Sequence, residues 1–292
     1  MALKNIKDIF QIDSHIKIGQ VHLKVSDINK SIQFYESFFG FKIVKKTLQT
    51  VYLSYDGQLP YLLALSKTNV NSTNQRTAGL YHFAILLPQR KDLANFASHL
   101  LKHKDNVKID RFSDHLVSEA IYIRDPDHIG IEIYRDREKS EWLWQDNKIR
   151  MTLDPLDMNG LLKESTQPWN GFPPNTMIGH LHLHVSNLEK AKIFYSEILG
   201  FNNTASMQGA LFFAAGDYHH HIATNVWLGE NILKANSDFP GLDYFTIKFS
   251  SKDTLNDLIK RLESHNITVS DLGDGSFSIF DDDKISIHLT IC

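Results

Sequence analysis

Over residues 18–25 apolar and polar positions alternate: Val21, Leu23 and Val25 interleave with Gln20, His22 and Lys24. A period of two puts the two sets on opposite faces of a strand. The period then changes. Ile28, Ile32, Tyr35 and Phe39 recur at helical spacing. Asp27 stands where a helix N-cap is wanted, and Gly40 where a left-handed C-terminal cap is wanted. The short apolar runs VYLSY and YLLAL follow, so the unit reads β-α-β-β-β.

The unit recurs. Residues 18–41, IGQVHLKVSDINKSIQFYESFFGF, match residues 178–201, IGHLHLHVSNLEKAKIFYSEILGF, 160 residues later. Gly19/Gly179, His22/His182, Phe34/Phe194, Tyr35/Tyr195, Gly40/Gly200 and Phe41/Phe201 are identical, and Asn187 takes the place of Asp27. The strand runs ALFFAA and HIATNVW complete this copy. A second pair is weaker: GLYHFAILL at 79–87 matches GLDYFTIKF at 241–249. Helix-like stretches at 90–103 and 251–264 follow, and DPDHIGIEIY and DDDKISIHLT close each copy with a turn and a strand. Four modules result, at about 15–66, 79–136, 178–229 and 240–292. They group into halves 15–136 and 178–292, joined by a connection at 137–177 that carries Trp142, Trp144, Pro168, Pro173 and Pro174. The expected class is α+β.

Composition narrows the function. The chain has 292 residues, net charge −3, 42% hydrophobic and 22% charged residues. Opposite charges are interspersed, which leaves no basic footprint for nucleic acid and no basic helix for a membrane surface. No apolar run approaches a membrane span, and MALKNIKDIF has no apolar core of signal-peptide length. The one cysteine, Cys292, precludes an intrachain disulfide. A cytoplasmic location is expected on these grounds, and a homo-oligomer on general frequency. The unusual count is histidine, at 15, with clusters His180/His182/His184 and His219/His220/His221.

Four such modules in series resemble the vicinal-oxygen-chelate superfamily, which includes glyoxalases, fosfomycin-resistance proteins and extradiol dioxygenases. The resemblance covers nearly the whole chain. It implies two U-shaped mixed-sheet half-barrels, each built from two modules, with metal ligands on the first and last strands. The first-strand positions are Gln20, His82, His180 and Tyr244, and the last-strand positions are Glu132 and His288. Pairing in sequence order gives Gln20, His82 and Glu132, or His180, Tyr244 and His288, neither a full set. Pairing the second module with the third gives His82, Glu132 and His180. That is the 2-His-1-carboxylate triad of non-haem Fe(II) oxygenases, with open positions for substrate and dioxygen. Each of the three lies on the strand face opposite the aliphatic set. The inferred arrangement is therefore second with third and first with fourth, the latter metal-free; the sequential pairing stays open.

Two further motifs resemble extradiol dioxygenases, through GLYHFAILLP, IGHLHLHVS and GDYHHHIATNVW most closely the two-domain enzymes of bacilli that cleave catechols. Tyr218-His219-His220-His221-Ile222-Ala223 matches their His-His pair and carries the acid-base role to His220, with His219 and His221 as alternatives. The stretch 114–132 places His115 and Tyr122 as supporting groups ahead of Glu132. The resemblance implies O2-dependent ring opening of a small aromatic diol at Fe(II), with Mn(II) compatible. Histidine suits proton transfer near neutral pH, and a tyrosine hydroxyl can hydrogen-bond a bound oxygen. His22, His182 and His184 read as structural or as lining a cavity, and the four tryptophans as packing at the connection. A glyoxalase-like lyase or isomerase and a binding protein for aromatic compounds are the competing readings. The first usually needs a second carboxylate where this chain has His220.

Overall fold

The computed structural model describes residues 10–70, 76–236 and 238–292. The first module forms β1 (Lys17–Val25), α1 (Ile28–Gln33), β2 (Lys42–Lys46), β3 (Thr50–Ser54) and β4 (Leu63–Lys67). The second forms β5 (Gly79–Leu86), α2 (Arg90–Lys102), β6 (Lys108–Asp114), β7 (Ser118–Arg124) and β8 (Gly130–Asp136). The connection holds β9 (Trp144–Gln145), β10 (Lys148–Ile149), β11 (Asp154–Pro155) and α3 (Met158–Lys163). The third module forms β12 (Met177–His184), α4 (Leu188–Lys192), β13 (Asn202–Met207), β14 (Ala210–Ala214) and β15 (Ile222–Asn225). The fourth forms β16 (Gly241–Phe249), α5 (Lys252–Ser264), β17 (Ser270–Asp271), β18 (Phe277–Phe280) and β19 (Ser286–Ile291).

The local signals act as their chemistry requires. The Asp27 side chain accepts from the amides of Asn29 and Lys30, and that of Asn187 from Lys190. Both short helices end in a π-helical turn, Phe34–Phe38 and Ile193–Ile198. Gly40 and Gly200 then reverse the chain at φ +84° and +85°.

Two large sheets form. One has strand order β17-β18-β19-β16-β1-β4-β3-β2, the other β11-β6-β7-β8-β5-β12-β15-β14-β13. In each, first strands of two modules meet antiparallel, β1 with β16 and β5 with β12. The second module thus shares a sheet with the third, and the first with the fourth. The sheets cut across the halves 15–136 and 178–292, taking one module from each. One face of every central strand is apolar: Val21, Leu23, Phe83, Ile85, Leu181, Leu183, Phe245 and Ile247 belong to one buried cluster. Leu93, Phe96 and Leu100 of α2, and Leu255, Leu258 and Leu262 of α5, pack into it. The opposite faces are left for chemistry. No helix among the described residues is long and apolar enough to cross a membrane.

Hydrogen bonds hold consecutive modules together across the two sheets. The Tyr35 hydroxyl donates to Asp125 Oδ2 at 3.0 Å, and Tyr195 repeats this with Asp281 at 3.0 Å. Asp125 Oδ1 accepts from the amides of Asp127 and Ile129, Asp281 Oδ1 from those of Asp283 and Ile285. Burial nonetheless raises both carboxyls, to about 7 each. Since the folded value lies above the unfolded one, each contribution to stability is full below the ordinary Asp range and is lost as pH climbs through about 7. The displacement corresponds to on the order of a few kcal/mol per carboxyl. In Asp125→Asn the amide carbonyl keeps the backbone donors and the NH2 can donate to Tyr35. Between pH 5 and pH 8 the urea midpoint of this variant is therefore expected to fall less than that of the parent; an identical fall in both would show that Asp125 does not carry the effect.

Candidate metal centre

His82 on β5, Glu132 on β8 and His180 on β12 come from three adjacent strands. Register explains their convergence. Ala84 sits between Glu132 on one side and His180 on the other, and its small side chain leaves the space that the three longer ones fill. His82 Nε2 lies 3.0 Å, and His180 Nε2 3.1 Å, from Glu132 Oε2. The three donor atoms lie within 4.8 Å of one another, and all three residues are buried. Two glycines permit the approach. A Cβ at Gly130 would collide with the Tyr81 carbonyl, and one at Gly179 with the Tyr134 hydroxyl.

A buried carboxylate needs compensation. Burial alone would raise Glu132, but the imidazoles of His180 and His82 hold it well below the usual range. Burial lowers His82 to about 4, against the pull of Glu132. The group offers two imidazoles and one carboxylate, the donor set that Fe(II) or Mn(II) accepts. His180 Nδ1 has no hydrogen-bond partner, so its ring is set by packing against Tyr134 and His220, at centroid distances of 4.8 and 4.2 Å.

The triad lines a pocket whose empty space, open solvent included, is about 450 Å³. His220, Tyr122 and His115 all line it. Nδ1 of His220 meets Nδ1 of His219 at 2.7 Å, and His219 Nε2 meets Asp136 Oδ1 at 2.8 Å. These contacts assign the tautomers. The Asp136 carboxylate accepts from His219 Nε2, so His219 Nδ1 accepts in turn from His220 Nδ1. His220 Nε2 then carries a lone pair and has no partner among the described residues. Burial, and after it the imidazoles of His180 and His219, keep His220 well below its ordinary pKa. His221 points elsewhere: its Nδ1 accepts from the Ala215 amide at 3.2 Å. Of the adjacent histidines, then, His220 faces the cavity, His219 stands behind it, and His221 supports the backbone.

His115 and Tyr122 form a second pair. His115 Nδ1 donates to the Thr152 carbonyl at 2.7 Å, so its Nε2 accepts from the Tyr122 hydroxyl at 2.7 Å. Burial, with the charge of Glu132 added, raises Tyr122 well above its ordinary value, so it stays protonated. Thr152 belongs to the connection, whose Met151 and Leu153 also cover the cavity.

A family model described as the Glyoxalase/Bleomycin resistance protein/Dioxygenase superfamily matches residues 17–133 and 177–282. The chain belongs to that superfamily. It is 38% identical over 274 residues to a catechol-2,3-dioxygenase of Bacillus subtilis (strain 168), covering 92% of this chain and 94% of that one. Among solved structures, a candidate dioxygenase from Bacillus subtilis superposes with TM-score 0.64 at 13% identity, over 96% of this chain and 86% of that one. Glyoxalase I from Zea mays superposes with TM-score 0.53 at 14% identity, over 94% and 92%. At such identities the structures speak for the fold alone.

Within this superfamily fold the other sheet shows what becomes of a site without its ligands. Gln20, Tyr244 and His288 take the equivalent positions, and the rings of Tyr244 and His288 stack at 3.7 Å and 10°. His22 Nε2 meets Ser66 Oγ at 3.0 Å instead of facing an open centre. One reading of the sequence is narrowed and one needs correcting. His182, read as structural or cavity-lining, lines the cavity beside His82, and its buried Nε2 has no partner. Trp227, read with the other tryptophans as packing at the connection, lies on the cavity wall against His182 at 5.1 Å. The alternation of His180, His182 and His184 was the signal for the first, since it places all three on one face. Nothing local marked the second.

Proposed function

We propose that the chain is an extradiol-type dioxygenase that opens the ring of a catechol with O2, holding Fe(II) on His82, Glu132 and His180. One observation carries the reading. A single carboxylate lines the cavity among the described residues, and the polar groups around it are proton-handling ones: His220, Tyr122 and His115. A lyase or isomerase of the glyoxalase kind would want a second carboxylate in that wall. Bound Fe(II) would supply the redox chemistry and the anchor for two vicinal oxygens.

The chain's own groups divide the remaining work. His220, neutral and with Nε2 bare, can take a proton from the diol and return it to an oxygen later. Asp136 and His219 fix its tautomer and support the charge it acquires. The Tyr122 hydroxyl can shift its hydrogen bond from His115 to a substrate oxygen and back. Met151, Leu153, Met207 and Phe212 provide apolar contact for the ring and limit water.

The test is anaerobic reconstitution with Fe(II), addition of catechol, then admission of air. A yellow ring-opened product appearing with oxygen uptake supports the proposal. Absence of both across several catechols, with iron demonstrably bound, would overturn it.

A further inference from the structure

We infer that Arg111 is a specificity-determining residue, and that the site is built for a catechol bearing an acidic substituent on or next to its ring. The inference rests on the ring-cleavage reading for the position of the diol. Arg111 is the one arginine or lysine among the described residues lining the cavity. Its guanidinium carbon lies 4.3 Å from the centre of the Tyr122 ring. Neighbouring arginines have carboxylate partners: Arg124 with Asp110, Arg135 with Glu119, and Arg137 with Asp114. No carboxylate among the described residues pairs with Arg111. A half-buried guanidinium without an anion forgoes its strongest interaction, the paired N–H bonds to a carboxylate.

The sheet sets the distance. Arg111 on β6 is registered with Tyr122 on β7, and Tyr122 with Glu132 on β8. Two strand spacings separate the backbones of Arg111 and Glu132, roughly 10 Å at the usual interval, and the guanidinium reaches back from its own strand over Tyr122. A diol held at the triad, with a carboxylate on the side of its ring toward β6, brings that carboxylate to the guanidinium. Stacking on Tyr122 holds the guanidinium fork in place before the ligand arrives. The far wall, toward Met207, Phe212 and Trp227, offers no second cation.

The test uses Fe(II)-loaded protein without oxygen and matched pairs, 3,4-dihydroxybenzoate and 3,4-dihydroxyphenylacetate against their methyl esters. Binding is read from tryptophan fluorescence, since Trp227 lies on the cavity wall. The acids are expected to bind about 10-fold tighter or more than the esters, the usual scale of a charged hydrogen bond. In Arg111→Met the acid-to-ester ratio should fall to about one, and in Arg111→Lys to an intermediate value, because a point charge replaces the fork. Equal affinities in the parent protein, or a preference that survives in a folded Arg111→Met, would overturn the inference. Air is then admitted. Ring opening of acids and esters bound equally well leaves the dioxygenase reading standing without the acidic substrate. Arg111-dependent preference with no ring opening of any ligand leaves the anion site standing and removes the dioxygenase reading.

Discussion

Glu132→Ala is expected to strip the protein of its metal and its ring-opening activity together, while His288→Ala keeps both. Glu132 is the only carboxylate of the triad, and both imidazoles point at the same oxygen. Without it a dication would face two neutral rings in a buried site, with no negative charge to offset its desolvation. Loss of a mere supporting group costs roughly 10–100-fold in metal affinity. Loss of the charged ligand should cost more, leaving iron substoichiometric after gel filtration. His288 occupies the corresponding position of the other sheet but is stacked on Tyr244, so its removal should leave the iron-to-protein ratio unchanged. Elemental analysis of both variants decides the matter without reference to activity. Iron lost from His288→Ala and retained in Glu132→Ala would move the centre to the other sheet.

His220→Gln is expected to retain iron and lower kcat by about 100- to 10,000-fold, the span typical of a lost general acid-base group. Glutamine fills similar space but cannot accept and return a proton. Alanine at His219 or Asp136 should lower kcat by roughly 10-fold, since these groups orient His220 without touching the ring. His221→Ala should behave differently. It leaves the buried Ala215 amide without an acceptor, which costs about 1–3 kcal/mol of stability, and it should leave kcat near that of the parent. Measuring kcat, iron content and the unfolding midpoint on the same variants separates the roles. Full turnover in His220→Gln would mean that another group moves the proton; His182, which lines the cavity and whose Nε2 is unpaired, is an alternative.

Much of this was legible in the chain because the signals are local. Alternation in 18–25 and 178–185 defines which residues share a strand face, and that is a matter of backbone period alone. Asp27 and Asn187 cap the helices that follow them because the hydrogen bonds span only two or three residues. The triad could be proposed because the resemblance implies ligands on the first and last strand of each module, and the repeat locates those points in this chain. The supporting groups were less legible. His219 and His221 are sequence neighbours of His220 with the same chemistry, and only the direction of each side chain separates them. Asp136 follows Glu132 closely in sequence, yet its partner His219 is 83 residues away.

The amino-acid sequence by itself determined the module order, the α+β class, the faces of the strands and the residue types available for a metal, because all of these follow from spacing along one chain. The tertiary structure decided between the inferred pairing of second with third and first with fourth modules and the sequential one left open, since antiparallel pairing of β5 with β12 and β1 with β16 depends on long-range contacts. It also decided that Arg111, His182 and Trp227 reach one cavity. Their strands and loop are brought side by side only when the second and third modules close on each other, and side-chain direction in that packed space, not sequence distance, fixes what a ligand would meet.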